Sequence, residues 1–284
     1  MLQFSIVEQV ILAVFLLSGI TFFLYHLLLR LKIVLKGKSD FSVDELPKRI
    51  IRVFDEVILH KKVVSGDRKS AGILHALVMY GFIFFGLITI NHFGMAFGFP
   101  IFSESFRHTY FLIFGAPWAI LCTIGILGLA YRRFVIKPEA LGKFSSTSAL
   151  VSVFIVTLMT TYLIDELHIL SGAAEKFNWW LHSGVIGGFL FLIPQSKHMH
   201  LVLSPFNIFL RPFEVPNHGA IPIDMEASEE ELDNLLLDLS RLSKDQALDI
   251  FTCVECGRCT EVCPANRGGG LSLIHISEPT RPRL

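Results

Sequence analysis

Charge is scarce in this sequence, and what there is cancels. Of 284 residues only 18% are Asp, Glu, Lys or Arg, with 25 of each sign, for a formal net charge of zero. A chain with no basic excess has no electrostatic hold on a polyphosphate, which removes nucleic acid from the expected partners. Cysteine is nearly missing as well: Cys122 stands alone in an apolar run, and the other four fall between Cys253 and Cys263. A disulfide framework spreads its cysteines through a small secreted domain, so this clustering excludes one and points to metal ligation in a reducing compartment. The first apolar run has no basic residues ahead of it and no small-residue cleavage site after it, and it is too long for a signal-peptide core. It reads as a membrane span. Midplane carboxylates, internal repeats and broken helices, the marks of a transporter, are absent too, since Asp165 and Glu166 sit at the end of a run.

What the sequence has in excess is apolar length. Hydrophobic residues make up 52% of it, 26 of them Phe, and mean hydropathy is +0.57. They come in blocks, and a bilayer crossing needs roughly 20 apolar residues at about 1.5 Å each. Five stretches qualify: Ile6–Leu29, Ala71–Phe97, Tyr110–Tyr131, Ala149–Ile164 and Phe177–Ile193. The fourth is the shortest and extends towards Leu170. Eleven Lys and Arg lie between the first and second stretches, and Arg132, Arg133, Lys137 and Lys143 lie between the third and fourth. The other two loops hold only Arg107 and Lys176. The positive-inside rule then puts the N-terminus outside an inner (cytoplasmic) membrane and everything after the fifth stretch in the cytoplasm.

The loops carry further signals. Ser42 and Glu45 have capping-box spacing, and Ile50, Ile51, Val53, Phe54, Val57 and Ile58 recur at helical spacing among basic residues, which predicts an amphipathic helix at the inner membrane surface. After the fifth stretch, Pro205, Pro212, Pro216 and Pro222 punctuate a linker. An acidic segment from Asp224 to Leu242 follows and reads as a helix with a solvated face.

The most specific motif is Cys253-Val-Glu-Cys256-Gly-Arg-Cys259-Thr-Glu-Val-Cys263-Pro264. Thiolates are the soft ligands an iron–sulfur cluster needs, and the C-x2-C-x2-C-x3-C-P spacing wraps one loop around a [4Fe–4S] cubane. Zinc sites instead offer two separated C-x2-C pairs. In two-cluster ferredoxins the fourth Cys serves the other cluster, so Cys253, Cys256 and Cys259 lack a fourth ligand and Cys263 lacks its three partners. The motif is half of a dicluster site. Beyond Gly268-Gly269-Gly270, the stretch Leu271 to Arg281 resembles the translation of a sequencing-library adapter, which makes 267–284 a non-native tail and leads us to expect the natural protein to continue past about Asn266.

Histidines inside apolar stretches are costly and suggest function. His75 lies four residues into the second stretch, His182 opens the fifth, and His198 and His200 close it. On one continuous helix, His182 and His200 are about five turns and roughly 27 Å apart on a shared face, while His198 points away unless Pro194 kinks the helix. Low-spin haem b takes two axial imidazoles. His75 and His200 meet that need at the inner depth, and His182 would pair with His92, or failing that His168, near the outer surface. His92, His108 and His168 also suit plain interfacial positions. His26 reads as a headgroup contact, and His60 and His218 as surface residues.

Taken together, Gly72-x-x-His75, Trp180-Leu-His182, Ser196-Lys-His-Met-His200, Asn207 and Cys256-Gly-Arg-Cys259-x-x-x-Cys263-Pro-Ala265 resemble membrane-bound iron–sulfur oxidoreductases related to heterodisulfide reductase. The N-terminal part is similar to the gamma subunit of respiratory nitrate reductase. That subunit's later haem histidine on the second span falls here near Phe84-Phe85, so an outer haem would need His92 instead. The resemblance implies residues 1–210 as a transmembrane cytochrome b domain, 211–250 as a linker with the acidic helix, and 251–266 as a partial ferredoxin-type domain. The expected fold is an all-α membrane protein, a five-transmembrane-helix bundle followed by a truncated ferredoxin-like [4Fe–4S] segment. The implied activity is that of a quinone-linked oxidoreductase, moving electrons between a cytoplasmic protein, such as an electron-transferring flavoprotein, and membrane quinone. No residue is singled out for the quinone. The alternatives are a cytochrome b anchor for a separate reductase and a transporter or sensor with a regulatory iron–sulfur domain.

Overall fold

The computed structural model describes residues 2–38, 45–65, 68–142, 144–213 and 242–259, together with Ser228, Cys263 and Gly268. The expected capping box at Ser42, the acidic helix and the adapter-like tail lie outside these residues, apart from Ser228 and Leu242. Among the described residues the chain is helical, with no strand and only an isolated bridge between Lys38 and Ser243. The chain divides into two compact units. The first comprises Met1–Ile20, Lys62–Leu190 and the residues from Cys256 onward, and the second comprises Thr21–Lys61 and Phe191–Glu255.

Among the described residues, four helices are long and apolar enough to cross a membrane: α1 (Ile6–Val34), α4 (Lys69–Ala96), the run Glu104–Ile136, and α7 (Ser146–Glu166). Between α1 and α4 come α2 (Leu46–Val53) and α3 (Lys61–Val64). The run Glu104–Ile136 consists of α5 (Glu104–Tyr110), a π-type turn and α6 (Ala116–Tyr131), with a second wide turn at its end. No more than 28% of any of these apolar windows is buried. Side chains such as Leu17, Phe82, Leu87 and Leu127 therefore face outward, as they do where lipid is the solvent. The fifth expected crossing falls in α8 (Gly172–Leu192), which is long enough at 21 residues but is not among the four. Glu175, Lys176, Asn178, His182 and Ser183 dilute its apolar character. The fourth stretch does not run on to Leu170: α7 stops at Glu166 and His168 turns into the left-handed region at φ 51°.

Within the first unit α4 packs on α6 and α6 on α7. The helices approach closely because small residues sit at the seam, as is usual in membranes. A Cβ on Gly125 would stand 2.7 Å from the Leu74 carbonyl oxygen, and one on Gly81 would stand 2.9 Å from Cys122. Cys122 thus fills a helix seam; it is 3% exposed and packs with Phe111, Ala119, Met159 and Tyr162.

In the second unit α9 (His200–Leu210) is the hub. Helix α2 lies on it with its polarity inverted. Arg49, 2% exposed, donates to the carbonyls of Phe209, Leu210 and Arg211 at 2.8, 3.0 and 3.2 Å, while Ile50, Ile51 and Phe54 face outward. The periodicity thus predicted the apolar stripe correctly, and the buried arginine caps the end of α9, whose last carbonyls lack helical partners. The π-type turn Phe54–Ile58 follows α2. His60, expected at the surface, is instead buried: its ring lies 2.7 Å from the Val57 carbonyl and its backbone turns at φ 53° to reach α3. On the other side of α9 lies α10 (Lys244–Thr252), which starts from a complete capping box between Ser243 and Gln246.

The continuous helix expected from His182 to His200 does not form. Helix α8 ends at Leu192, a 3-10 turn covers Ile193–Gln195, Ser196 is extended at φ −132° and ψ 170°, and a second 3-10 turn leads into α9. Pro194 has no N–H to continue the ladder and its ring crowds the preceding turn. The shared helix face of His182 and His200 is therefore lost, and with it the reason for choosing His200 over His198 by phase.

Candidate redox site

The cysteine run starts where α10 stops. Thr252 is the last helical residue, Cys253 caps it in an extended conformation, and Glu255 and Gly257 both turn left-handed at φ 54° and 75°. Two such residues flanking Cys256 bend the chain sharply, a conformation open to Gly and strained for Glu. Cys253 and Cys259 are exposed, and Cys256 and Cys263 are partly buried. Among the described residues no three His, Cys, Asp or Glu side chains converge as a ready ligand set for a metal ion. The donor chemistry of three thiolates on one tight loop nonetheless fits an iron–sulfur cluster.

Two anchors hold the loop. In the second unit, Asn207 of α9 donates through Nδ2 to Asp249 Oδ1 at 2.8 Å and Thr252 Oγ1 at 3.0 Å, which fastens α10 immediately before Cys253. Lys197, at the break before α9, pairs with Glu255 at 3.2 Å. This ties the segment bearing His198 and His200 to the cysteine loop. In the first unit Arg68, the residue before α4, donates to the Cys256 carbonyl at 2.6 Å. His75 follows seven residues later, about 10 Å along the helix axis.

His200 is oriented as an imidazole ligand should be. Its Nδ1 lies 2.8 Å from the Lys197 carbonyl, which can only accept, so Nδ1 carries the proton and the lone pair of the neutral ring is on Nε2. Burial, the largest influence, pushes this imidazole below its ordinary range, against the Lys197 carbonyl bond that favours the protonated ring. His198 instead hydrogen-bonds Ser196 Oγ at 3.2 Å. His75 and His200 lie in different units, each with the orientation its own helix gives it.

His92 and His182 come together in the first unit, with ring centroids 5.0 Å apart at 55°. Thr161 Oγ1 donates to the Thr157 carbonyl at 2.7 Å, so the 2.7 Å bond to His182 must be donated by Nδ1–H, and Nε2 is the ring nitrogen offered to a ligand. His92 has Nε2 at 2.9 Å from Ser183 Oγ and stacks on Trp179 at 4.7 Å and 14°. Metal–imidazole bonds run about 2.0–2.1 Å, so one metal between two trans imidazoles keeps their nitrogens about 4 Å apart with a clear gap between the rings. Here the rings stand side by side, His92 aims at Ser183, and the adjoining cavity measures about 190 Å³. Pockets for drug-sized ligands run about 300–1,000 Å³. The arrangement does not fit a haem between His92 and His182. His168, the fallback partner, lines the same cavity. Sequence reading passed over Thr161, Asn178 and Ser183, although polar residues in apolar runs are a signal. It also overlooked Arg107, whose guanidinium stands 3.9 Å from Glu166 at the cavity.

Comparison with known proteins gives the chemistry of the cysteine loop a context. The chain is 31% identical over 280 residues to the probable iron-sulfur-binding oxidoreductase FadF of Bacillus subtilis, covering 87% of this chain and 38% of that protein. The likeness is to iron–sulfur oxidoreductases. It is also 24% identical over 301 residues to the EtfAB:quinone oxidoreductase of Syntrophomonas wolfei, covering 90% of this chain and 40% of that protein. The chain spans about two-fifths of the length of the curated relatives it matches. No protein-family model and no solved structure matches it.

Proposed function

We propose that the chain is the membrane part of a quinone-linked iron–sulfur oxidoreductase that exchanges electrons between a cytoplasmic electron-transferring flavoprotein and membrane quinone. The observation that carries this reading is the cysteine run, held by Asn207 and Lys197 in the second unit and by Arg68 in the first, in a chain whose relatives are named for iron–sulfur and for quinone chemistry. Cys253, Cys256 and Cys259 would hold one [4Fe–4S] cluster, completed by a ligand from outside the run, and Cys263 would serve a second cluster. On the reading of the sequence, His75 and His200 would hold haem b. When bound, these groups would supply one-electron steps between a flavin and a quinone held at separate sites.

The residues of the chain do the rest. The Lys197 carbonyl accepts a hydrogen bond from His200 Nδ1–H and leaves Nε2 as the ligand atom. Lys197 Nζ and the Arg68 guanidinium place fixed positive charge beside the loop that thiolates would make negative. Helix α8 makes the fifth crossing, its polar residues turned to the cavity at its start, and by the loop charges the cysteine loop lies on the cytoplasmic side. The cytochrome b anchor remains the second reading within redox proteins, and the cysteine run fused to the membrane domain counts against it.

The test is the visible spectrum and haem content of the purified protein with His75, His200 and His198 each replaced by Ala. We expect His75→Ala and His200→Ala to lose low-spin haem and His198→Ala to keep it. A protein without dithionite-reduced haem bands or iron would be a transporter or sensor instead.

A further inference from the structure

The cavity in the first unit is left without a role once haem between His92 and His182 is set aside. It is a polar chamber in an apolar bundle, at the ends of α4 and α7 and the start of α8, and His182, Tyr162, Trp179, Glu166, Arg107 and Asn178 line it. Three features give it chemistry. Asn178, 5% exposed, donates to the Thr161 carbonyl at 3.0 Å and fixes the wall that sets the tautomer of His182. The ring nitrogen His182 offers is therefore a hydrogen-bond acceptor. Trp179, 4% exposed and already stacked on His92, provides a flat aromatic wall. Glu166, with its side chain only 9% exposed, sits in weak contact with Arg107 and can carry a proton between the chamber and its mouth. At about 190 Å³ the space suits a single six-membered ring better than a macrocycle.

We propose that this cavity is the quinone site, taking the head group while the isoprenoid tail stays in the bilayer; the inference rests on the quinone reading above. A quinol hydroxyl donates to His182 Nε2, and the ring lies against Trp179. The reaction balances as quinol giving quinone, two electrons and two protons. His182 Nε2 takes the proton of the hydroxyl that donates to it, Glu166 as a carboxylate takes the other, each carbon–hydroxyl single bond becomes a carbonyl double bond, and the electrons leave singly towards the iron–sulfur side of the chain. In the reverse direction His182 is first protonated at Nε2, and that imidazolium and the Glu166 carboxyl return the two protons. Thr161 is a positioning residue: it touches no quinone and acts by holding the His182 tautomer.

The test is equilibrium binding of decylubiquinol to the purified full chain in detergent, read by quenching of tryptophan fluorescence, together with haem content. Loss of one hydrogen bond of this kind changes affinity about tenfold. His182→Ala and Thr161→Val should each weaken decylubiquinol by about that factor, and Thr161→Ser should restore it, all with helical content and haem unchanged. If decylubiquinol binds but none of these variants affects it, the quinone site is elsewhere and only this assignment falls. If decylubiquinol does not bind at all, the quinone reading of the chain falls with it. If His182→Ala and His92→Ala each remove a haem, the cavity belongs to that group and the assignment is overturned.

Discussion

Replacing Asn207 with Leu keeps the side chain's size and removes both of its N–H donors, which tests whether α9 truly positions the cysteine loop. The amide bonds the Asp249 carboxylate at 2.8 Å and the Thr252 hydroxyl at 3.0 Å, and Asn207 itself is 8% exposed. A hydrogen bond to a charged acceptor contributes about 1.5–3 kcal/mol and one to a neutral acceptor about 0.5–1.5 kcal/mol. Because Thr252 also donates to the Leu248 carbonyl, it keeps a partner and its share lies at the low end. The apolar packing of Leu248 and Leu203, 1% and 0% exposed, is untouched. The net cost is about 2–3 kcal/mol, confined to α10. Since 1.4 kcal/mol is a factor of ten, amide hydrogen exchange at Leu248 and Asp249 should accelerate about 30- to 150-fold. Alkylation of Cys253 should rise with it, while exchange in α4 and α6 should stay constant. A change of less than about threefold in α10 would refute the reasoning, and would mean that apolar contact alone sets the helix in place.

Arg49→Ala removes the donor to three carbonyls at the end of α9 and strands the paired Glu45, whose carboxylate lies 2.6 Å away. The Glu45 side chain is 34% exposed and loses little, so the cost is that of carbonyls left without their donor, about 1–3 kcal/mol; the second unit should melt first in calorimetry, and Arg49→Lys should recover part of this. Gly125→Val must push its new Cβ away from the Leu74 carbonyl. Overpacking of this kind costs about 1–3 kcal/mol, and proteolysis between α5 and α7 should become faster. The thiols give a further expectation: the chain as written should retain no stable [4Fe–4S] centre by iron and sulfide assay, and adding a second C-x2-C-x2-C-x3-C-P segment should restore two.

The sequence by itself determined that this is a helical protein, and four of the five apolar stretches it counted are helices long and apolar enough to cross a bilayer, because helix length and hydropathy are local quantities summed along the chain. It also pointed to iron–sulfur chemistry at the cysteine run, in line with the names of the relatives, since ligand spacing within eleven residues is a matter of reach. The apolar stripe of α2 was likewise legible as periodicity. Its buried face was not, because Arg49 is buried only where the end of α9 presents the carbonyls of Phe209, Leu210 and Arg211 to its guanidinium. The course of the chain from His182 to His200 was misread. Pro194 was visible, but whether it bends a helix or ends it depends on what receives the freed carbonyls, and here Arg30 donates to the Pro194 carbonyl at 2.5 Å. The pairing of His92 with His182 was visible as matching depth. That their rings stand side by side, with Thr161 and Ser183 claiming one nitrogen of each, was decided only when α4, α7 and α8 packed. Hydrogen bonds between helices depend on rotation about each axis, and that rotation is fixed by seams such as Gly81 against Cys122, which no single helix encodes.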